Sequence, residues 1–189
     1  MGILKKLLPL LVLLLALAAL LFVAGWFRPE RHAARTRGVY RVPTEKVWER
    51  LANVQVWPSW LEAFHTVSSR PDVDGHDAYS VGTEFGDAVL VVEHQDDSGR
   101  LTTLLDAGAF QGRWIYELKD VPAGSELTIT EIGDVGNPFL RGVMMFKDPH
   151  ESMRDFLTDL GRALEVEPSI EDIDVTVEQA EADATRREE

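Results

Sequence analysis

Residues 7–27, LLPLLVLLLALAALLFVAGWF, form an apolar run of 21 residues without a single charge. As a helix rising about 1.5 Å per residue, the run is about 31 Å long, close to the hydrocarbon thickness of a bilayer. It predicts one uncleaved transmembrane helix, single-pass, with Trp26 and Phe27 at the headgroup level. A cleaved signal peptide is the competing reading, since Lys5 and Lys6 precede the run. Two features oppose it: the run exceeds the usual apolar core of about 7–15 residues, and no small-x-small cleavage site follows Gly25. Lys6 stands where a myristoylation motif needs Ser or Thr, so that anchor is set aside. Arg28, Arg31, Arg35 and Arg37 follow the helix, against Lys5, Lys6 and the amino terminus before it. The positive-inside count therefore leans toward a cytoplasmic domain, although the same arginines can rest on anionic headgroups.

The formal charge of −13 is unevenly spread. Residues 165–189 hold ten acidic and two basic residues, so this tail carries −8 of it. What remains is mildly acidic, which argues against nucleic acid as a partner. The tail has no aromatic residue and little apolar surface to offset the entropy of ordering, which predicts disorder. The expected organisation is a transmembrane anchor at 1–27, a basic linker at 28–34, one domain at 35–166 and an acidic disordered tail at 167–189. The absence of cysteine fits either redox compartment.

Within the domain, TRGVYRV (36–42) alternates as a strand. Pro43 closes it, and Val47, Trp48 and Leu51 then recur at helical spacing behind Glu45 in the first turn. Pro58 prevents simple continuation, so residues 54–61 should form a second short helix or turn. Strand-like segments follow at 63–69, 81–86, 87–95, 100–106, 112–119 and 125–133, punctuated by Asp74-Gly75, Asp97-Ser98-Gly99 and Pro122-Ala123-Gly124. Connectors this short join antiparallel neighbours. On 112–119 Trp114, Tyr116 and Leu118 share one face; on 125–133 Leu127, Ile129 and Glu131 do. DPHE (148–151) opens a last helix with Asp148 as N-cap, and Met153, Phe156, Leu157, Leu160 and Leu164 make one apolar stripe ended by Pro168. The expected class is α+β, an antiparallel sheet of about seven strands whose aromatic face must bury the stripe of the long C-terminal helix.

This order, with VPTEKVWERLANVQVWPSW (42–60), VGTEF (81–85), NPFLR (137–141) and the closing helix at 149–165, resembles the Bet v 1/START-like superfamily. Within it the chain is similar to the bacterial polyketide cyclase/dehydrase-like group, also called SRPBCC proteins, that carry an N-terminal membrane helix. The resemblance implies a helix-grip fold: a curved sheet around the long helix, with a cavity between them for a hydrophobic small molecule or lipid. Trp48 and Trp57 are then core mass. Trp60 and Phe64 stand nearer the mouth, Phe85, Trp114 and Tyr116 are read as lining, and Phe139 and Met145 as part of a gate at 137–146. Plain packing against the sheet or the membrane is the alternative for that stretch.

No motif specifies a reaction. The five histidines lack metal-ligand spacing, so neither a metal nor a cofactor is expected. There is no cysteine nucleophile, no Gly-x-Ser-x-Gly elbow and no phosphate loop. Glu131, continuing the Leu127 and Ile129 face, is one candidate acid or base, since burial there would raise its pKa; a solvated strand end is the alternative. His94 is the other, because one of Glu93 and His94 should face inward in either register. The leading expectation is a membrane-anchored binding protein for a hydrophobic small molecule. The alternatives are a cyclase or dehydratase-type enzyme, and a structural or interaction module working through its tail or linker.

Overall fold

The computed structural model describes residues 2–186. In chain order the elements are α1 (Gly2–Trp26), β1 (Arg31–Tyr40), α2 (Thr44–Leu51), a 3-10 helix (Val54–Ser59), β2 (Phe64–Val73), β3 (His76–Thr83), β4 (Gly86–Gln95), β5 (Arg100–Asp106), β6 (Gln111–Val121), β7 (Gly124–Asp134), α3 (Pro138–Met144), α4 (Glu151–Ala163), β8 (Ser169–Ile173) and α5 (Val177–Arg186). They form two compact units.

The first unit holds residues up to Glu30 together with 135–147. Within α1, Leu7–Trp26 is long and apolar enough to cross a membrane by length and composition. Asn137 caps α3, its side-chain oxygen accepting from Phe139 N at 2.9 Å, with Pro138 at the first helical position. The two helices pack on each other inside this unit.

The second unit, residues 31–134 and 148 onward, is built on one antiparallel sheet of eight strands in the order β2-β3-β4-β5-β6-β7-β1-β8. The meander follows from short turns. Asp74 and Gly75, both at positive φ (53° and 84°), make the two-residue loop whose twist suits a hairpin. β3 begins five residues before the expected strand, because His76, Asp77 and Ser80 interrupt the apolar alternation on what is nevertheless a paired strand. One face of the sheet buries α4 through Met153, Phe156, Leu157 and Leu160, none more than 2% exposed. Tyr40 Oη donates to the Leu157 carbonyl at 2.9 Å and ties β1 to that helix. The turn before α4 is made by Asp148, whose carboxylate accepts from His150 N at 2.9 Å.

The tail departs from the sequence expectation. α4 ends with Glu165 at φ 58°, Val166 N donating to Gly161 O at 2.9 Å and Glu165 N to Arg162 O at 3.2 Å, the paired bonds of a Schellman turn. The turn reverses the chain and lays 169–173 along the free edge of β1 as an eighth strand, in the register Arg37↔Glu171 and Thr36↔Asp172. α5 follows on the opposite sheet face from α4, where Ala180 packs with Ile115 and Ile132. The tail expected to be disordered is therefore paired with arginines of β1 and α4, and one of them, Arg31, lies in the expected basic linker. Arg37 meets Glu171 at 2.6 Å, Arg35 meets Asp183 at 3.0 Å, Arg31 pairs with Glu181, and Arg154 bridges to Asp172 at 2.6 Å. β1 itself begins at Arg31, inside the expected linker. Exposed pairs of this kind contribute about 0–1 kcal/mol each. Edge pairing and the Ala180 contact accordingly hold the segment, and the charges choose its register. Ala180→Glu, which forces a carboxylate into that apolar seam, is expected to release α5. Hydrogen exchange at 177–186 should rise at least about tenfold while β5–β7 stay protected; unchanged protection would show that the seam does not hold α5.

Candidate functional site

The inner face of the sheet is defined by alternation on its central strands. Trp114, Tyr116 and Leu118 on β6 lie beside Glu131, Ile129 and Leu127 on β7, and Ala34 on β1 completes the row across Glu131. An aromatic cluster fills this face against α4. Phe156 makes ring contacts with Trp57 (5.6 Å), Trp60 (5.2 Å), Trp114 (6.0 Å) and Tyr116 (5.3 Å). Trp57 also reaches Phe64 at 5.8 Å and donates its indole N–H to Leu51 O at 3.1 Å. Trp57 is fully buried, and Trp48, Trp60, Phe64 and Trp114 are half-buried around it.

Glu131 stands at one end of this apolar face and is 6% exposed. Burial pushes its carboxyl from the ordinary 4.5 up to about 7, against the opposing effect of a hydrogen bond from the Trp114 side chain. Near neutral pH such a group can give or take a proton. Tyr116, bonded to Thr103, is itself held protonated by burial, and Glu131 reinforces this.

Beyond Glu131 two cross-strand glycines, Gly112 and Gly133, sit directly opposite each other. A Cβ on Gly112 would strike the Phe110 ring and one on Gly133 the His32 ring, so both rings lie over bare backbone. The rings stack, centroids 6.4 Å apart at 28°. Burial lowers the His32 pKa, partly offset by Asp134, which disfavours its cationic form. The end of the sheet thus carries an aromatic wall with one proton-exchanging carboxyl and one imidazole.

Of the residues singled out in the sequence, Trp114, Tyr116, Glu131, Trp60 and Phe64 meet in or beside the aromatic cluster. The Trp60 indole N–H is buried and has no acceptor among the described residues. Phe85 is instead 87% exposed at the β3–β4 turn, where Thr83 Oγ1 accepts from Phe85 N at 3.2 Å and donates to Gly86 O at 2.8 Å. Phe139 and Met145 belong to the unit that contains α1. His94 is exposed and bonded to Asp96 at 3.0 Å, and Glu93 makes a double hydrogen bond to Arg113 at 2.6 and 2.8 Å. The expectation that one of Glu93 and His94 faces inward fails because a bulge between Val92 and His94 breaks the alternation. His32, Phe110, Thr103 and the glycine pair were not singled out. Extending the inner-face alternation by two residues, from Trp114 to Gly112 and from Glu131 to Gly133, would have reached the glycines. Among the described residues no group of three or more His, Cys, Asp or Glu side chains is placed to hold a metal ion.

No model of a protein family matches the chain, and no curated protein matches it in sequence. Solved structures do match. The Zhui aromatase/cyclase from Streptomyces sp. R1128 superposes with a TM-score of 0.62 at 10% identity over 71% of this chain and 94% of its own. A conserved protein from Geobacillus kaustophilus gives 0.57 at 14% identity over 72% and 98%, and Ara h 8.0201 gives 0.53 at 12% over 71% and 99%. Identities this low carry the fold alone. With its curved antiparallel sheet closed on one long helix, the chain has the helix-grip fold, which it shares with the Zhui aromatase/cyclase and Ara h 8.0201.

Proposed function

We propose that this is a membrane-anchored binding protein for a hydrophobic small molecule that carries one hydrogen-bonding group, such as a lipid, an isoprenoid or a polyketide-like compound. The observation that carries the reading is Glu131: a carboxyl buried on an otherwise apolar face, its pKa raised by burial to about 7. Ligand sites of this kind combine apolar walls with a few polar groups that set orientation. The Trp60 indole N–H, without an acceptor among the described residues and on the same Phe156 ring that Trp114 touches, is a second group able to orient a ligand. One solved structure of the same fold is an aromatase/cyclase, which is in keeping with this reading. An anchor at residues 7–27 would keep the domain beside the phase in which apolar ligands dissolve, raising their effective concentration.

The test is a titration of the detergent-solubilised full chain with environment-sensitive fluorescent fatty acid and polyaromatic probes. Trp114→Ala is expected to weaken binding about tenfold, which is about 1.4 kcal/mol. His94→Ala, on the exposed face, should leave it unchanged, and thermal melts of both variants report whether folding is intact. Absence of saturable binding, or equal effects of the two substitutions, would overturn the reading.

A second reading, proton transfer in a cyclisation or dehydration, is favoured by the same carboxyl, since a pKa near the working pH suits an acid-base catalyst. Turnover of a β-hydroxy ketone with a rate inflection near pH 7, lost in Glu131→Gln, would select it. Binding without turnover would select the first.

A further inference from the structure

We infer that residues 138–146, α3 and the turn after it, lie in the membrane interface beside α1, so that the chain meets the bilayer through two segments far apart in sequence. The inference rests on the reading of α1 as a membrane helix and adds a second, independent insertion.

Three observations inside the first unit carry it. First, α3 is fastened to the carboxyl-terminal end of α1 by backbone contact. A Cβ on Gly25 would fall on the Pro138 carbonyl and the Gly142 nitrogen, and one on Gly142 would fall on the Leu21 carbonyl. Small residues that let two backbones touch are how helices associate in lipid.

Second, Arg141 is the sole charged residue between Asp134 and Lys147, and its guanidinium is consumed internally. Nε donates to Gly25 O at 2.9 Å, and Nη1 donates to Val135 O at 3.0 Å and to Glu30 at 2.8 Å. The side chain is only 7% exposed. A cation neutralised by a carboxylate and bonded to two carbonyls can enter a medium of low dielectric at a smaller cost than a bare one.

Third, the outer surface of this segment is apolar and exposed. Phe139, Val143, Met145 and Phe146, the last 80% exposed, are matched at the end of α1 by the exposed Phe22, Val23 and Trp26, with Phe27 just after the helix. An apolar surface of this kind on a water-facing protein marks an interaction site. Its continuity with the helix of membrane-spanning length identifies the bilayer as what covers it. Depth agrees as well. Leu21, the deepest α1 backbone contact named above, lies five residues before Trp26, about 7–8 Å along the helix, within the roughly 5–10 Å to which interfacial helices sink.

The chain has no cysteine, so single cysteines can carry an NBD fluorophore. The full chain is reconstituted into vesicles of phosphatidylcholine and phosphatidylglycerol with Val23→Cys on the anchor, Phe146→Cys or Val143→Cys on the segment, or Asp74→Cys on the β2–β3 turn. Labels at 143 and 146 are expected to emit to the blue of the label at 74 and to lose about half their intensity when lipids bear nitroxides near the headgroup, the depth of an interfacial helix. Quenching at 23 with aqueous emission at both 143 and 146 would overturn the inference and leave the anchor standing. Aqueous emission at 23 would overturn the anchor reading, and the inference with it.

Discussion

Trp57→Ala is expected to remove about 3–5 kcal/mol of stability, the range for truncating a large aromatic side chain in a core. Trp57 is 1% exposed and touches the rings of Trp60, Phe64, Tyr116 and Phe156, so the space left behind is walled by four aromatics fixed by their own strands and helices. Such walls collapse poorly, which places the cost high in that range. The Leu51 carbonyl also loses the indole N–H that satisfies it and ends α2 beside the 3-10 helix. Urea unfolding followed by near-UV circular dichroism measures the loss. Trp60→Ala, removing a half-buried ring at the margin of the same cluster, should cost about half as much. A Trp57→Ala loss below about 1 kcal/mol would mean that the cluster repacks freely, contrary to the close packing of an interior.

Glu131→Gln is expected to change how stability depends on pH. The native carboxyl has its pKa raised to about 7 by burial, from 4.5. Between those values the folded protein keeps a proton that the unfolded chain has released, so the group makes stability fall as pH rises. Below about pH 4.5 both states are protonated and the contribution vanishes; above about pH 7 the full penalty of burying the anion is present. At about 1.4 kcal/mol per unit the total is about 3 kcal/mol. The amide introduced by the substitution cannot ionise, and its oxygen keeps an acceptor for Trp114. Unfolding free energies measured from pH 4 to pH 8 should therefore diverge in favour of the variant by about 3 kcal/mol at the alkaline end. Every other titrating group is common to both proteins and cancels. Parallel curves would place Glu131 in water. A hydrophobic ligand that hydrogen-bonds this carboxyl should shift the divergence along the pH axis, linking the stability measurement to the binding proposal.

Where a local pattern decides the structure, the sequence was enough. Twenty-one uncharged residues can only be a long apolar helix, and Val47, Trp48 and Leu51 at helical spacing before the Trp57-Pro58 turn make α2 and the 3-10 helix. Strict alternation on 112–119 and 125–133 places Trp114, Tyr116 and Glu131 on one face, because side chains on a strand point to opposite sides in turn. That reasoning found the carboxyl at the centre of the candidate site. It failed at His94, where one extra residue at the Val92/His94 bulge turns the pattern over, and at His76, Asp77 and Ser80, whose polar side chains hide a paired strand.

The remaining decisions belonged to tertiary structure because they depend on partners distant in the chain. The tail alone has too little apolar surface to order itself, yet β1 offers it an unpaired edge, arginines opposite its carboxylates and a seam for Ala180. Its ordering energy lies in those contacts and is invisible in its own composition. Whether Glu131 is solvated or buried depends likewise on Trp114 and on an aromatic cluster drawn from α4, β6 and the 3-10 helix. And α3 is an ordinary seven-residue helix until Gly142 and Arg141 meet the backbone of α1 more than a hundred residues earlier. Sequence determined which segments are apolar, which alternate and where they turn; only folding decided which charges are neutralised and which carboxyl leaves water, since both are properties of pairs.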